Sequence, residues 1–311
     1  MGKLTTNNKF MKVISQCRTE LAVKAIIAIV LLVPIIIYNT PFFSRPPLTN
    51  ETRSLFQGIS YKREVRSLPH PVMLHLVNID LTAPGIGVFV TPGTQESDKM
   101  ETNARTASQF LEEFKLQLAI NANFFSPFKE NAPWDYFPKN GDRVNNVGEA
   151  ISNGKIYSEP NSKFPVLCFA ANNRARIIAS GICPEGTQQA VAGNKILIKN
   201  GKATTIDEYN SQDLKNYPRV VAALDKKGEK LWLLLVDGKQ RFYSEGLKAS
   251  EVQEILLKLG VDMALNLDGG GSTTLVMATP AGAKVLNAPI HNKIPMQQRP
   301  IANHLGFYAN N

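Results

Sequence analysis

Seven short runs rich in β-branched and apolar residues follow one another after residue 70: VMLHLVNID, GIGVFVTPG, QLAINANFF, NKILIKNGK, RVVAALDKKGEK, LWLLLVDG and MALNLDGGG. Runs of this length, separated by turn residues, build sheets. Asn200-Gly201 and Lys227-Gly228 lie between apolar runs, where hairpin turns belong. Two segments break the pattern with helical spacing. Thr106 to Lys115 opens with a Thr and places Phe110, Leu111 and Phe114 on one face; Ser250 to Leu259 does the same with Val252, Ile255, Leu256 and Leu259. Ser250 and Gln253 have the spacing of a capping box, and Gly260 is placed to stop the second helix. The expected fold is α+β, a mixed and largely β-sheet core with packed helices.

Each helix leads at once into an apolar strand, QLAIN in one case and DMALN in the other. At a constant offset of 145, Asp80 falls on Asp225, Gly93 on Gly238, Leu111 on Leu256 and Asn121 on Asn266. Identities between the two stretches are sparse, so the gapless order of elements carries the comparison. It predicts a pseudo-two-fold core in which Asn123 and Asp268 hold equivalent places facing one cleft.

The amino-terminal end obeys different rules. Residues 25–38 read AIIAIVLLVPIIIY without a charge, and Leu21, Ala22 and Val23 extend the run across Lys24 to about the length a bilayer demands. Lys3, Lys9, Lys12, Arg18 and Lys24 precede it, whereas only Arg45 follows closely. The positive-inside rule then gives a basic cytoplasmic tail over 1–24, a transmembrane signal anchor over 25–43 and an extracytoplasmic remainder, periplasmic or at the cell surface. A cleaved signal peptide is the alternative, although the flank NTPFFSRPP has no Ala-x-Ala-like site. The Pro-rich stretch over 44–69 reads as a stalk, leaving 70–311 as the folded domain. In this topology Cys168 and Cys183 would share an oxidising compartment and are expected to pair; otherwise they are two small buried hydrophobes.

Charge narrows the partners. The chain carries 35 Lys and Arg against 26 acids, a net +9, and the 24-residue tail holds a large share of the excess. The rest is scattered, without the basic run or aromatic-interleaved groove of a nucleic-acid binder. An anionic small ligand suits it better. His70, His75, His291 and His304 lack ligand spacing and no Cys pair lies two to four apart, so neither a metal nor another cofactor is expected; a divalent ion bound without a motif stays open. G-x-S-x-G, G-x-G-x-x-G and G-K-[ST] are also absent.

The segment ALNLDGGGSTTLV is the most informative. Gly269, Gly270 and Gly271 let the backbone approach a ligand closely and could form an anion-binding nest beside Asp268 and Ser272; alternatively they make a tight connection. Asn121 and Asn123 alternate on one strand face, suited either to sugar hydroxyls or to capping a turn. Arg219 and Arg299 start strands, and a guanidinium matches phosphate through its planar fork. Asp237 in LLLVDGKQ is either a carboxylate with a catalytic role or the first residue of an ordinary Asp-Gly turn.

In order, NANFF, PRVVAALDKKG, LLLVDGKQ, GLKASEVQEILLKLG, ALNLDGGGSTTLV and RPIANHLGF resemble the phosphodiester glycosidase family across roughly residues 70–308. The resemblance implies a mixed α/β domain that cleaves the bond between a sugar anomeric carbon and a phosphate oxygen. By motif it carries over Asn123, Arg219, Asp237, Asp268, Gly269, Gly270, Ser272, Arg299 and Asn303. The expected roles are catalysis by Asp268 with Asp237 and Asn123, and substrate or phosphate binding by Arg219, Gly269, Gly270, Gly271, Ser272, Arg299 and Asn303. With the anchor, the expected target is an envelope or exported phosphoglycan. Two other classes compete: a non-catalytic envelope protein that binds sugar phosphates or polysaccharide, and a metal-dependent phosphodiesterase using Asp237 and Asp268.

Overall fold

A computed structural model describes residues 18–33, 36, 44–94, 99–206 and 212–310. The chain divides into two compact units, Met1–Ser44 and Arg45–Asn311. In the first, residues 18–33 are helical. The transmembrane helix expected over 25–43 is not found: among the described residues no helix is long and apolar enough to cross a membrane. Residues 34–35 and 37–43 of that span, and most of the expected tail, lie outside the described residues.

Two sheets and two helices organise the second unit. In chain order they are β1 (Glu51–Phe56), β2 (Ile59–Arg66), β3 (Val72–Asp80), β4 (Gly87–Val90), α1 (Ala107–Glu113), β5 (Leu118–Asn121), β6 (Lys195–Lys199), β7 (Lys202–Ala203), β8 (Arg219–Leu224), β9 (Lys230–Val236), α2 (Ala249–Lys258), β10 (Met263–Asn266), β11 (Leu275–Thr279), β12 (Gly282–Val285) and β13 (His304–Tyr308). The larger sheet runs β1-β2-β3-β9-β8-β10-β6-β7 and the smaller β12-β11-β5-β13-β4. Neighbouring strands are antiparallel, with Val221 of β8 opposite both Leu234 and Asn266. Another five-stranded sheet is built from residues 150–192.

The core follows from strand composition. All six residues of β8, RVVAAL, are buried. Val220, Ala222 and Leu224 join Ile120, Leu305 and Phe307 of the smaller sheet in one apolar cluster, while Val221 and Ala223 meet Val252 and Leu256 of α2 on the other face. A central strand covered on both sides must be apolar along its covered length, and β8 and β9 are after their first residues, Arg219 and Lys230. The sequence places α1 well: Thr106 is its N-cap, with Gln109 completing the capping box. α2 begins one residue before Ser250, and Lys248 is its N-cap; the Glu251 carboxylate accepts from the Lys248 amide at 2.8 Å, so the Ser250–Gln253 spacing is not the box in use.

Residues 44–69 are not a free stalk, because β1 and β2 lie within them and extend the larger sheet. β2 alternates, with Ile59, Tyr61 and Arg63 buried and Ser60 and Lys62 exposed. The charges of KREVR hide that period. Arg63 is buried because Glu51 meets its guanidinium at 3.0 Å and Thr49 O accepts from its Nε at 2.8 Å.

Five strands of each sheet share one order. β9-β8-β10-β6-β7 in the larger corresponds to β4-β13-β5-β11-β12 in the smaller, with α2 packed on β6 and β7 as α1 is on β11 and β12. The offset of 145 carries β5 onto β10 residue for residue, α1 onto α2 and β4 onto β9. It fails at β3, which sits beside β9 in the larger sheet, while β13 takes the place corresponding to β8. The strands are exchanged: β6, β7 and β8 follow β5 yet flank β10, and β11, β12 and β13 follow β10 yet flank β5. Cys168 and Cys183 are joined in a disulfide with Cα atoms 5.8 Å apart.

Candidate active site

The exchange brings the ends of β5 and β10 together. The Asp268 amide donates to Ala122 O at 3.0 Å, and Asn121 Nδ2 donates to Asp268 O at 2.6 Å. Asn121 Oδ1 in turn accepts from the Thr274 amide at 3.0 Å, fixing both ends of the glycine turn. Beside this junction lies a cavity of about 180 Å³.

Asp268 is its centre. The residue is half-buried, shielded by the fold yet open to the cavity it lines, and its pKa is pushed up to about 6. Burial raises it; the Ser272 hydroxyl, the Arg299 charge, the Gly269 amide and the Lys239 charge act against burial and lose. A carboxyl of that strength is ionised at neutral pH and still accepts a proton readily.

The glycines serve the turn more than a ligand. The Gly269 amide is used by the Asp268 carboxylate, and those of Gly270 and Ser272 donate to Pro218 O and Gly269 O. Gly270 has φ +63°, and a Cβ there would stand 2.6 Å from Tyr217 Oη; a Cβ on Gly271 would come within 2.3 Å of Arg299 Nη2. Close approach of cavity-wall side chains thus explains why side chains are excluded here.

Both arginines line the cavity with their nitrogens turned to the protein. Arg219 donates from Nε to Leu247 O at 3.1 Å and from Nη2 to Gln212 O at 2.6 Å, with Nη1 3.7 Å from Asp213. Arg299 donates from Nε to His291 Nδ1 at 3.2 Å and from Nη1 to Ser272 Oγ at 3.2 Å, while Nη2 pairs with Glu130 at 2.9 Å. Its guanidinium also stacks over Phe128, 4.6 Å from the ring centroid. These contacts fix the loop at 212–215 and the hairpin of Lys129–Ala132 and Asp135–Phe137 as walls.

Six expected residues lie outside the lining: Gly270, Gly271 and Ser272, which stand behind it in the turn, and Asn123, Asn303 and Asp237. Asn123 is fully buried and its amide is spent on Ala192 N, Val147 O and Glu149 O. Asn303 donates to Tyr157 Oη at 2.6 Å. Asp237 sits in a buried network: His75 Nε2 is 3.1 Å from Oδ2, Tyr61 Oη is 2.8 Å from His75 Nδ1, and the Ala288 amide and Asn287 Nδ2 both donate to Oδ1. Asn287 also donates to Thr273 O, which ties Asp237 to the glycine turn without opening it to the cavity.

The cavity adds groups that the sequence reading left out. Asp213 is buried and paired with Lys195 and Arg219. Asn266 Nδ2 donates to Asn194 Oδ1 at 2.8 Å, but its own Oδ1 is buried without a protein partner. Tyr217 and the phenyl rings of Phe124, Phe125 and Phe128 complete the wall. Asn266 could have been found from its place two residues before Asp268, on the same strand face; nothing local marks Asp213. Among the described residues no group of three or more His, Cys, Asp or Glu side chains is placed to hold a metal ion.

Solved structures share this fold. A putative exported protein of Burkholderia pseudomallei K96243 superposes with a TM-score of 0.61 at 12% identity, covering 83% of this chain and 96% of the other. A hypothetical protein from Synechocystis gives 0.59 at 14% identity over 85% of this chain, which spans 64% of that protein. The zebrafish N-acetylglucosamine-1-phosphodiester alpha-N-acetylglucosaminidase catalytic domain, auto-inhibited by its pro-peptide, gives 0.57 at 19% identity over 86% and 91%. No curated protein matches in sequence. The phosphodiester glycosidase family model matches residues 114–308, and the chain belongs to that family. The resemblance carried by the sequence motifs is therefore one of kinship, and hydrolysis of phosphodiester-linked sugars is the activity class it brings.

Proposed function

We propose that the protein hydrolyses the bond between a sugar anomeric carbon and a phosphodiester oxygen. The observation that carries this reading is the half-buried Asp268 carboxyl, lining the cavity at the junction of β5 and β10 with its pKa pushed up to about 6. Glycoside cleavage develops positive charge at the anomeric carbon and normally needs an acid for the leaving oxygen as well as a carboxylate. A phosphate departs as a stabilised anion, so one working carboxylate suffices. Asp268 supplies it, attacking the carbon directly or through a water it deprotonates. Asn266 Oδ1, buried without a partner, offers a sugar hydroxyl the acceptor site that such a group requires. The phenyl walls accept the apolar faces of the ring. Asp213, neutralised by Lys195 and Arg219, holds the far wall.

The natural substrate in this reading is an envelope or exported phosphoglycan, met by a domain held outside the cytoplasmic membrane by the amino-terminal segment. The uncharged run over 25–38, the cations that precede it and a disulfide suited to an oxidising compartment support that placement.

The test incubates the protein with UDP-N-acetylglucosamine and related sugar-phosphate diesters in oxygen-18 water and reads the label in the phosphate product. Unlabelled phosphate, with turnover lost in Asp268→Asn, is the expected result. Labelled phosphate means attack at phosphorus and a phosphodiesterase; tight binding without turnover means a sugar-phosphate binder.

A further inference from the structure

A substrate of this class brings a phosphodiester anion to the cavity, yet Arg219 and Arg299 face it with every guanidinium nitrogen beside a protein acceptor. Each guanidinium has five N–H groups and so keeps a spare donor, but turning it onto phosphate competes with the wall contacts that hold its plane in place. Lys239 is placed differently. It is exposed, follows the Asp237-Gly238 turn with φ +58°, and donates from Nζ to Tyr217 Oη at 3.2 Å. A left-handed conformation in a residue with a long side chain is uncommon and marks a position held by its surroundings. The ammonium also lies 4.5 Å from the Tyr217 ring centroid.

Tyr217 lines the cavity, and its hydroxyl packs against Gly270, two residues from Asp268. The Lys239 charge is felt at Asp268. An ammonium has three donors, of which one is used here, so two remain for a ligand that reaches Tyr217. Tyr217 Oη, accepting from Lys239, keeps its own proton to donate.

We propose that Lys239 and Tyr217 are the groups that grip the phosphodiester of the substrate, while Arg219 and Arg299 hold the walls. This rests on the glycosidase reading of the cavity. The bond from the anomeric carbon to the phosphate oxygen breaks with its electron pair leaving on oxygen; the Lys239 ammonium and Tyr217 hydroxyl stabilise that oxyanion, and Asp268 delivers the new oxygen to carbon.

The experiment compares wild type with Lys239→Gln, Lys239→Arg and Tyr217→Phe on a sugar phosphodiester and on the uncharged 4-nitrophenyl glycoside of the same sugar. A charge-assisted contact at the leaving group predicts a loss of about 10- to 100-fold in kcat/KM on the phosphodiester for Lys239→Gln. The aryl glycoside should lose less than about 3-fold, and Lys239→Arg should restore most of the phosphodiester rate. Inhibition by inorganic phosphate should weaken in parallel, and the acid limb of the pH profile should move upward in Lys239→Gln because a cation near Asp268 is gone. Equal losses on both substrates, or phosphate inhibition unchanged, overturn the proposal. Calorimetric titration with inorganic phosphate decides the matter if wild type turns over neither substrate: wild type should bind and Lys239→Gln should not. Wild-type turnover with an unaffected Lys239→Gln sinks this assignment alone, whereas no wild-type turnover sinks the glycosidase reading.

Discussion

Asp268→Asn should make the protein more stable at neutral pH while abolishing turnover. The carboxyl is raised from 3.8 to about 6 by burial, so the folded state holds its proton more tightly than the unfolded chain. Its contribution is most favourable below about pH 4 and is lost as pH rises through 6. At about 1.4 kcal/mol per pH unit, the cost of ionising it in place approaches about 3 kcal/mol at pH 7.5. Asn does not ionise, but its amide fits less well beside Arg299 and Ser272, which lowers the gain to about 1–3 kcal/mol. For a body of this size that is roughly 2–8 °C in Tm. Thermal denaturation of both proteins at pH 4.5 and 7.5 reads it: a wide gap in favour of the variant at pH 7.5, closing at pH 4.5. A variant that is less stable at pH 7.5, or a gap that does not change with pH, refutes the claim that burial of a charge sets this carboxyl.

The same titration governs activity, so kcat/KM should rise with pH through about 6 as Asp268 ionises, measured by initial rates between pH 4.5 and 8. Cys168→Ser should lower stability by about 3 kcal/mol, because the disulfide closes a loop of 15 residues in the unfolded chain; dithiothreitol should reproduce the loss in wild type and leave the variant unchanged. Asp237→Asn turns a donor toward the Ala288 amide and Asn287 and should cost about 2–4 kcal/mol in urea denaturation. Its KM should stay within a few-fold of wild type, as Asp237 does not line the cavity; a large rise in KM with unchanged stability would place it against the substrate instead.

Legibility in the sequence followed the range of the interaction concerned. β8, β9 and both helices were readable because period, length and turn residues are local, and Asp268 because a strand end, a carboxylate and three glycines coincide in one segment. β2 was hidden because Arg63, a charge at a buried position of its alternation, is neutralised by Glu51 and bonded to Thr49 O, contacts no local pattern reports. Asp213 and Asn194 owe their place in the cavity to the sheet order, which sets β6 beside β10 across a long stretch of chain. Asn123 looked like a ligand residue or a turn cap from its spacing; folding spends its amide on the distant backbone of Ala192, Val147 and Glu149, which neither local reading names.

Where the two halves part company, the cavity appears. Asn121 ends β5 and Asn266 ends β10, in corresponding places. Asn121 reaches across to the other half and satisfies both ends of its amide on Asp268 O and Thr274 N. Asn266 makes no such crossing; its Nδ2 turns to Asn194 and Leu267 O, and its Oδ1 is left buried and unmet. The following residues diverge in the same sense, Asn123 closed into backbone and Asp268 opened toward solvent as a carboxylate. A symmetric junction would use both amides to lock the two loops together and leave nothing for a ligand. Keeping the lock on one side makes the junction rigid, and releasing it on the other supplies an acceptor and a working carboxylate at fixed spacing, which is the preorganisation a glycosidic transition state needs.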